Sequence, residues 1–240
     1  LNKFIAYIGM NCVEPEKEYL MRRLINRNAV FSLVAVAGLF LGGVTAALSA
    51  SQPLKPSGSV DVAKLMQPGP LKDMVEGNAD APVTIIEYAS ITCSHCADFY
   101  QKTLPQIREK YIKTGKARLI FREFAYDPRA AAGFMLARCV AEDRYFPLIQ
   151  VLFDKQAEWA FVPDAKPPLV KIAKLAGLND ESFEACLKNQ NVLDGLNAAL
   201  HRGRDEFGIT ATPTFFINGN KYEGALSVEQ MSAIIDSLLK

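Results

Sequence analysis

The sequence predicts a mixed α/β fold in which a βαβ unit and a C-terminal β-hairpin are separated by an all-α insertion. Three observations carry this expectation. Val83-Thr84-Ile85-Ile86-Glu87-Tyr88 and Arg118-Leu119-Ile120-Phe121-Arg122-Glu123-Phe124 are short runs dense in β-branched and aromatic residues, with a helical stretch between them. Helical periodicity then runs from Pro128 to about Phe207. Finally, Thr214-Phe215-Phe216-Ile217 and Lys221-Tyr222-Glu223 flank Asn218-Gly219, a strong tight-turn signal because both positions tolerate positive φ.

The chain has 240 residues and a formal net charge of +1, and half of its residues are hydrophobic. That balance suits a soluble body and argues against a nucleic-acid partner, which needs a concentrated basic face. Basic residues gather between Lys102 and Arg122, but Glu109 and Glu123 lie among them, and the stretch reads as a solvated helix face.

Residues 1–50 read as a targeting region. Met21-Arg22-Arg23-Leu24-Ile25-Asn26-Arg27 carries three positive charges and precedes an apolar run from Ala29 to Ala50. Charge, apolar run and then small residues is the order of an export signal. Ala47-Leu48-Ser49 offers a cleavage site. The apolar run is also long enough to span a bilayer as an uncleaved anchor, and both readings export the body to the periplasm. The chain begins at Leu1, and the expectation is that residues 1–20 lie upstream of a natural start at Met21.

Residues 51–76 read as linker and N-terminal arm. Ser51 to Ser59 is rich in Ser and Pro, and Pro68-Gly69-Pro70 interrupts the arm. Residues 77–240 then form one domain, with the helical insertion at 128–207. Gly115 is a fitting C-cap for the helix that follows the first strand. Pro163, Pro167-Pro168 and Gly177 divide the insertion into four or five short helices. Ser227, with Gln230 three residues later, forms a capping box for a last helix. Val228, Met231, Ile234, Ile235 and Leu238 share one face of that helix.

Chemistry concentrates at Cys93-Ser94-His95-Cys96. A lone C-x-x-C also suits half a zinc site, but a structural zinc needs four ligands, usually as two close pairs. Cys139, Cys186, His95 and His201 supply no second pair, so no metal is expected. The motif instead follows a buried strand and opens a helix. Cys93 then meets unpaired backbone N–H groups and the positive end of the helix dipole, which favour its thiolate. His95 favours that thiolate further by charge or hydrogen bonding, or else is an exposed residue of the first turn. Cys96, one turn in, is the resolving thiol. Thr212-Pro213-Thr214 immediately precedes a strand, where proline marks a special turn or an ordinary strand entrance.

Cys139 and Cys186 sit on apolar faces of predicted helices, beside Met135, Leu136 and Phe183. Export and these matched settings suggest a structural disulfide; two buried free thiols are the alternative. Cys12 lies before the apparent signal.

Gly77-Asn78-Ala79-Asp80-Ala81-Pro82-Val83-Thr84-Ile85-Ile86-Glu87-Tyr88, followed by Cys93-Ser94-His95-Cys96 and Thr212-Pro213-Thr214, resembles the DsbA-like thiol–disulfide oxidoreductases over roughly residues 60–240. Family members often have proline where Ser94 stands. The resemblance implies a thioredoxin-like fold with the insertion between the βαβ unit and a cis-proline strand. It makes Thr212 and Pro213 a substrate-binding loop facing the cysteines. It gives Glu87, six residues before Cys93, the role of a buried acid that relays a proton to or from Cys96; a carboxylate paired to a nearby Lys or Arg is the other reading. It implies oxidation of cysteine pairs in newly exported proteins, no bound cofactor, and reoxidation by a quinone-linked membrane partner of the DsbB type. The rivals are a reductase or isomerase of the same fold, and a non-catalytic chaperone that binds peptides beside Pro213. Isomerases of this class usually dimerise through an added N-terminal domain, for which the arm before Gly77 is too short.

Overall fold

The computed structural model describes residues 54–240. The expected export signal, its expected cleavage site, the expected start at Met21 and Cys12 lie outside the described residues. Among those described, no helix is long and apolar enough to cross a membrane.

The chain opens with β1 (Gly58–Ser59), α1 (Val62–Leu65) and β2 (Met74–Glu76). The βαβ unit follows as β3 (Val83–Ala89), a helical stretch from Ser94 to Ile112, and β4 (Ala117–Glu123). The helical stretch is α2 (Ser94–Asp98) and α3 (Leu104–Ile107), each continued by a π-helical turn, Phe99–Thr103 and Arg108–Ile112. The first π turn leads into Pro105, which has no N–H for the ordinary ladder, and Leu104 N–H reaches back to the Phe99 carbonyl.

The insertion holds six helices rather than four or five: α4 (Pro128–Cys139), α5 (Glu142–Asp154), α6 (Gln156–Trp159), α7 (Lys166–Leu175), α8 (Asp180–Leu187) and α9 (Gln190–Phe207). The extra helix is α6, one turn too short to show periodicity. β5 (Thr214–Ile217), β6 (Asn220–Glu223) and α10 (Val228–Leu238) complete the fold. Asn218 and Gly219 take φ of 46° and 87°, the positive values a two-residue hairpin turn requires. The capping box at Ser227 and Gln230 is formed.

The sheet order is β1-β6-β5-β3-β4-β2, with β3 and β4 parallel and every other pair antiparallel. The segment expected to be linker and arm therefore supplies both edge strands: Gly58–Ser59 pairs with β6, and Met74–Glu76 with β4. Neither run carries a β-branched pattern; each is extended because a partner strand supplies its hydrogen bonds. The basic stretch also divides. Lys102, Lys110 and Lys113 stand in solvent, whereas Arg122 on β4 is buried, paired with Asp73 and bonded to the Tyr88 hydroxyl.

β3 is covered on both faces, and its alternation decides where the chemistry lies. Val83, Ile85 and Ala89 face the larger core, with Phe121, Phe215, Tyr100 and the helices of the insertion. Ile86 and Tyr88 face the smaller core with Phe207 and Phe216. Glu87 shares the parity of Ile85 and Ala89 and so points into the larger core. Trp159 is fully buried there, and its indole N–H donates to the Leu152 carbonyl at 2.8 Å. Cys139 at the end of α4 and Cys186 on α8 form a disulfide with Cα atoms 6.0 Å apart. It closes a loop across a sequence separation of 47 residues, which in the chain-entropy picture is worth roughly 4 kcal/mol.

Candidate active site

β3 ends at Ala89, and Ser90, Ile91 and Thr92 carry the chain to Cys93, the N-cap of α2. Cys93 has extended backbone angles, φ −82° and ψ 121°, and its N–H donates to the Ser90 carbonyl at 3.0 Å. No side-chain hydrogen bond caps this helix start, so the first-turn N–H groups of His95 and Cys96 are left to act on the Cys93 sulfur. The loop is held from the insertion side. Thr92 Oγ1 donates to the carboxylate of Asp127, which also accepts from the N–H groups of Arg129 and Ala130 as the N-cap of α4. Gly133 on α4 is a close approach: a Cβ there would lie 2.4 Å from Ile91 Cδ1. The buried Gln156 on α6 donates its side-chain amide to the carbonyls of Ile91 at 2.9 Å and Cys93 at 3.0 Å.

Cys93 is half-buried and Cys96 is wholly buried, and both are free thiols. Hydrogen bonding from the Cys96 thiol, helped by the Thr212 hydroxyl and the backbone N–H groups of Cys96 and His95, pulls Cys93 down to about 5 against the opposing effect of burial. The Thr212 carbonyl, 3.2 Å from Cys93 Sγ, accepts from the thiol and so favours the neutral form. The two contacts with Thr212 thus act in opposite senses, and the donors win because there are more of them. Cys96 goes the other way. Burial first, then its hydrogen bond to Cys93 and the negative charges of Cys93 and Glu87, push it well above the ordinary thiol range.

Each residue singled out from the sequence has a definite place. The Thr212–Pro213 peptide bond is cis, and the loop lies against Cys93. His95 is exposed, and its imidazole has no hydrogen-bond partner among the described residues; its backbone N–H, not its ring, reaches Cys93. Of the two readings of His95, the structure has the residue exposed on the first turn, with its backbone N–H as the group that reaches Cys93. Glu87 is 0% exposed, and neither carboxylate oxygen has a hydrogen-bond partner. The ion-paired alternative is not what the structure has. Its register neighbours are Phe121 on β4 and Phe215 on β5, which offer no counter-charge. Arg108, whose charge does reach it, is paired with Glu76 at 2.9 Å and bonded to Gln150 at 2.9 Å. Burial therefore pushes the Glu87 carboxyl well above the carboxylate range, with Arg108 opposing and Cys93 adding.

Thr92, Asp127 and Gln156 escaped the sequence reading. Asp127-Pro128 carries a helix-start signal, an N-cap acceptor followed by proline at the first helical position, and could have been found. Gln156 has no local signal, because its partners are carbonyls 65 and 63 residues away.

A family model described as Thioredoxin matches residues 71–237. A chain of Rickettsia conorii named as a protein-disulfide oxidoreductase is 32% identical over 169 residues, 70% of this chain and 61% of that one. The chain therefore spans about three fifths of that relative's length. Among solved structures, alpha-DsbA1 of Wolbachia pipientis is 33% identical with a TM-score of 0.68, over 73% of this chain and 94% of that one. Oxidised BdbD of Bacillus subtilis is 19% identical with a TM-score of 0.64, over 78% of this chain and 99% of that one, and shares the fold. With the family match covering most of the described residues and one third of positions shared with alpha-DsbA1, the chain belongs to the thioredoxin family, among its DsbA-like thiol–disulfide oxidoreductases.

Proposed function

We propose that this protein oxidises cysteine pairs in exported proteins, with the Cys93–Cys96 disulfide as its oxidant. The observation that carries this reading is the asymmetry of the pair: a half-buried Cys93 whose thiolate is strongly stabilised, above a fully buried Cys96 that resists ionisation. A stabilised thiolate favours the dithiol form of the protein, and a favoured dithiol form makes the disulfide a strong oxidant.

In the first step a substrate thiolate attacks Cys93 Sγ. The Cys93–Cys96 bond breaks, Cys96 leaves with the electron pair, and a mixed disulfide joins substrate to Cys93. Cys96 then takes a proton, and Glu87 supplies it, a buried, unpaired carboxyl whose neutral form burial favours and which regains its proton from solvent before the next cycle. In the second step another substrate thiolate attacks the substrate sulfur of the mixed disulfide and expels Cys93 as a thiolate. The substrate is oxidised by two electrons and the protein is left as a dithiol. The loop at Thr212 and Pro213, against the Cys93 sulfur, holds the substrate backbone. A quinone-linked membrane oxidase of the DsbB type returns the pair to the disulfide. The apolar run and its basic flank at the N-terminus support action in the periplasm, after signal cleavage or on a membrane tether.

The purified disulfide form, mixed with a reduced peptide dithiol, is expected to form one substrate disulfide per protein, followed by loss of free substrate thiols. An unchanged dithiol, with the dithiol form of the protein cleaving a disulfide substrate instead, would move the assignment to the reductase.

A further inference from the structure

The redox loop belongs to the sheet domain, yet a buried side chain of the insertion holds two of its carbonyls. Gln156 opens α6, a single turn fixed by the fully buried Trp159 and its bond to the Leu152 carbonyl. Its side chain is 6% exposed and spends both amide hydrogens on the loop, one on the Ile91 carbonyl and one on the Cys93 carbonyl. Ile91 lies past the end of β3 and before α2, where neither a sheet ladder nor a helix supplies its carbonyl with a donor. The Cys93 carbonyl already accepts the first helical bond, from Ala97 N–H at 3.1 Å. A second donor on that carbonyl puts positive partial charge within one residue of the sulfur, and it fixes the rotation of the peptide that leads into the first turn.

We propose that Gln156 is a positioning residue for the redox pair, the clamp by which the helical insertion holds the loop so that the N–H groups of His95 and Cys96 stay directed at the Cys93 sulfur. This rests on the thiol–disulfide reading given above. Gln156 touches neither substrate nor sulfur and acts only through the two carbonyls. The groups that bear on Cys93 from other elements are Cys96 on α2, Glu87 on β3, Tyr126 after β4 and the Thr212 hydroxyl. Among the described residues none of these groups donates a hydrogen bond to the Ile91 or Cys93 carbonyl.

The test is the titration of the Cys93 thiolate in the dithiol form, read by ultraviolet absorbance and by alkylation rate, in the full chain. Gln156→Met keeps the length of the side chain and removes both donors; its midpoint should rise by about one pH unit. Gln156→Glu puts oxygen against both carbonyls and should raise it further. Folded variants with the wild-type midpoint would overturn the proposal, since a merely structural glutamine would change thermal stability alone. The wild-type protein gives a second measurement that needs no variant. The Gln156 side-chain amide resonances should exchange slowly and shift with the same midpoint as Cys93. Rapid exchange with no response to that titration would equally defeat the clamp. Because the titration involves no substrate, a wild-type protein that fails to oxidise a dithiol would sink the functional reading without touching this one.

Discussion

Cys93→Ser is expected to abolish dithiol oxidation, by on the order of a thousandfold or more, while leaving the fold intact. The loss is large because no second sulfur can take its place. Cys96 is wholly buried and is pushed well above the ordinary thiol range, so no substrate thiolate reaches a disulfide through it. The fold survives because Cys93 is the N-cap of α2, a position that serine suits at least as well as cysteine. The companion variant, Cys96→Ser, behaves differently. Cys93 remains exposed enough to react, and the mixed disulfides it forms with substrate persist for want of an internal thiol to resolve them. Peptide oxidation assays and mass measurement of covalent adducts separate the two. Residual oxidation by Cys93→Ser at a tenth of the wild-type rate or more would mean that the nucleophile lies elsewhere.

The second large effect is on stability against pH, and it comes from Glu87. Its carboxyl is raised well above the ordinary range by burial. A group raised on folding contributes stability that is fully present below its unfolded value and is lost as pH rises toward its folded value. For Glu87 the loss begins near the ordinary carboxylate value of about 4.3 and proceeds at up to about 1.4 kcal/mol per pH unit. The clean experiment uses the disulfide form, in which neither Cys93 nor Cys96 titrates. Denaturant midpoints from acid to neutral pH should show a widening advantage of Glu87→Gln over the wild type. A difference that does not change with pH would mean that Glu87 has found a counter-charge after all. In the dithiol form Cys93 works in the opposite sense. Its folded value is depressed to about 5, so its contribution is present above the unfolded thiol range and is lost as pH falls through that value. Raising the pH should therefore stabilise the dithiol form relative to the disulfide form.

What could be read from the sequence was whatever local chemistry specifies. β3, β4 and the hairpin announce themselves by β-branched runs and by Asn218-Gly219, and α10 by its capping box. β1 and β2 do not, because strands of two and three residues are set by their partners rather than by their own side chains. The π-helical turns around Pro105 were equally hidden, since one proline reads as a break or as nothing. At the site, the cysteines and Thr212-Pro213 were legible because their spacing and order are distinctive. The burial of Glu87 was implied by the family resemblance, but the absence of a counter-ion follows from Phe121 and Phe215 across the sheet, and that requires the register. For His95 the residue was legible and the atom was not: N-cap geometry assigns the contact with Cys93 to the backbone. Gln156 lay beyond reach, as a polar residue whose role depends on two carbonyls in a distant loop.

The direction of catalysis rests on which form of the Cys93–Cys96 pair the protein stabilises. The helix start, the Cys96 thiol and the Thr212 hydroxyl all favour the Cys93 thiolate, and burial disfavours the Glu87 charge that would oppose it from beneath. Equilibration of the purified protein with mixtures of reduced and oxidised glutathione measures the balance directly. A potential well above the roughly −270 mV of thioredoxin is the expected result. A potential at or below that of thioredoxin would contradict the oxidase and make the protein a reductase.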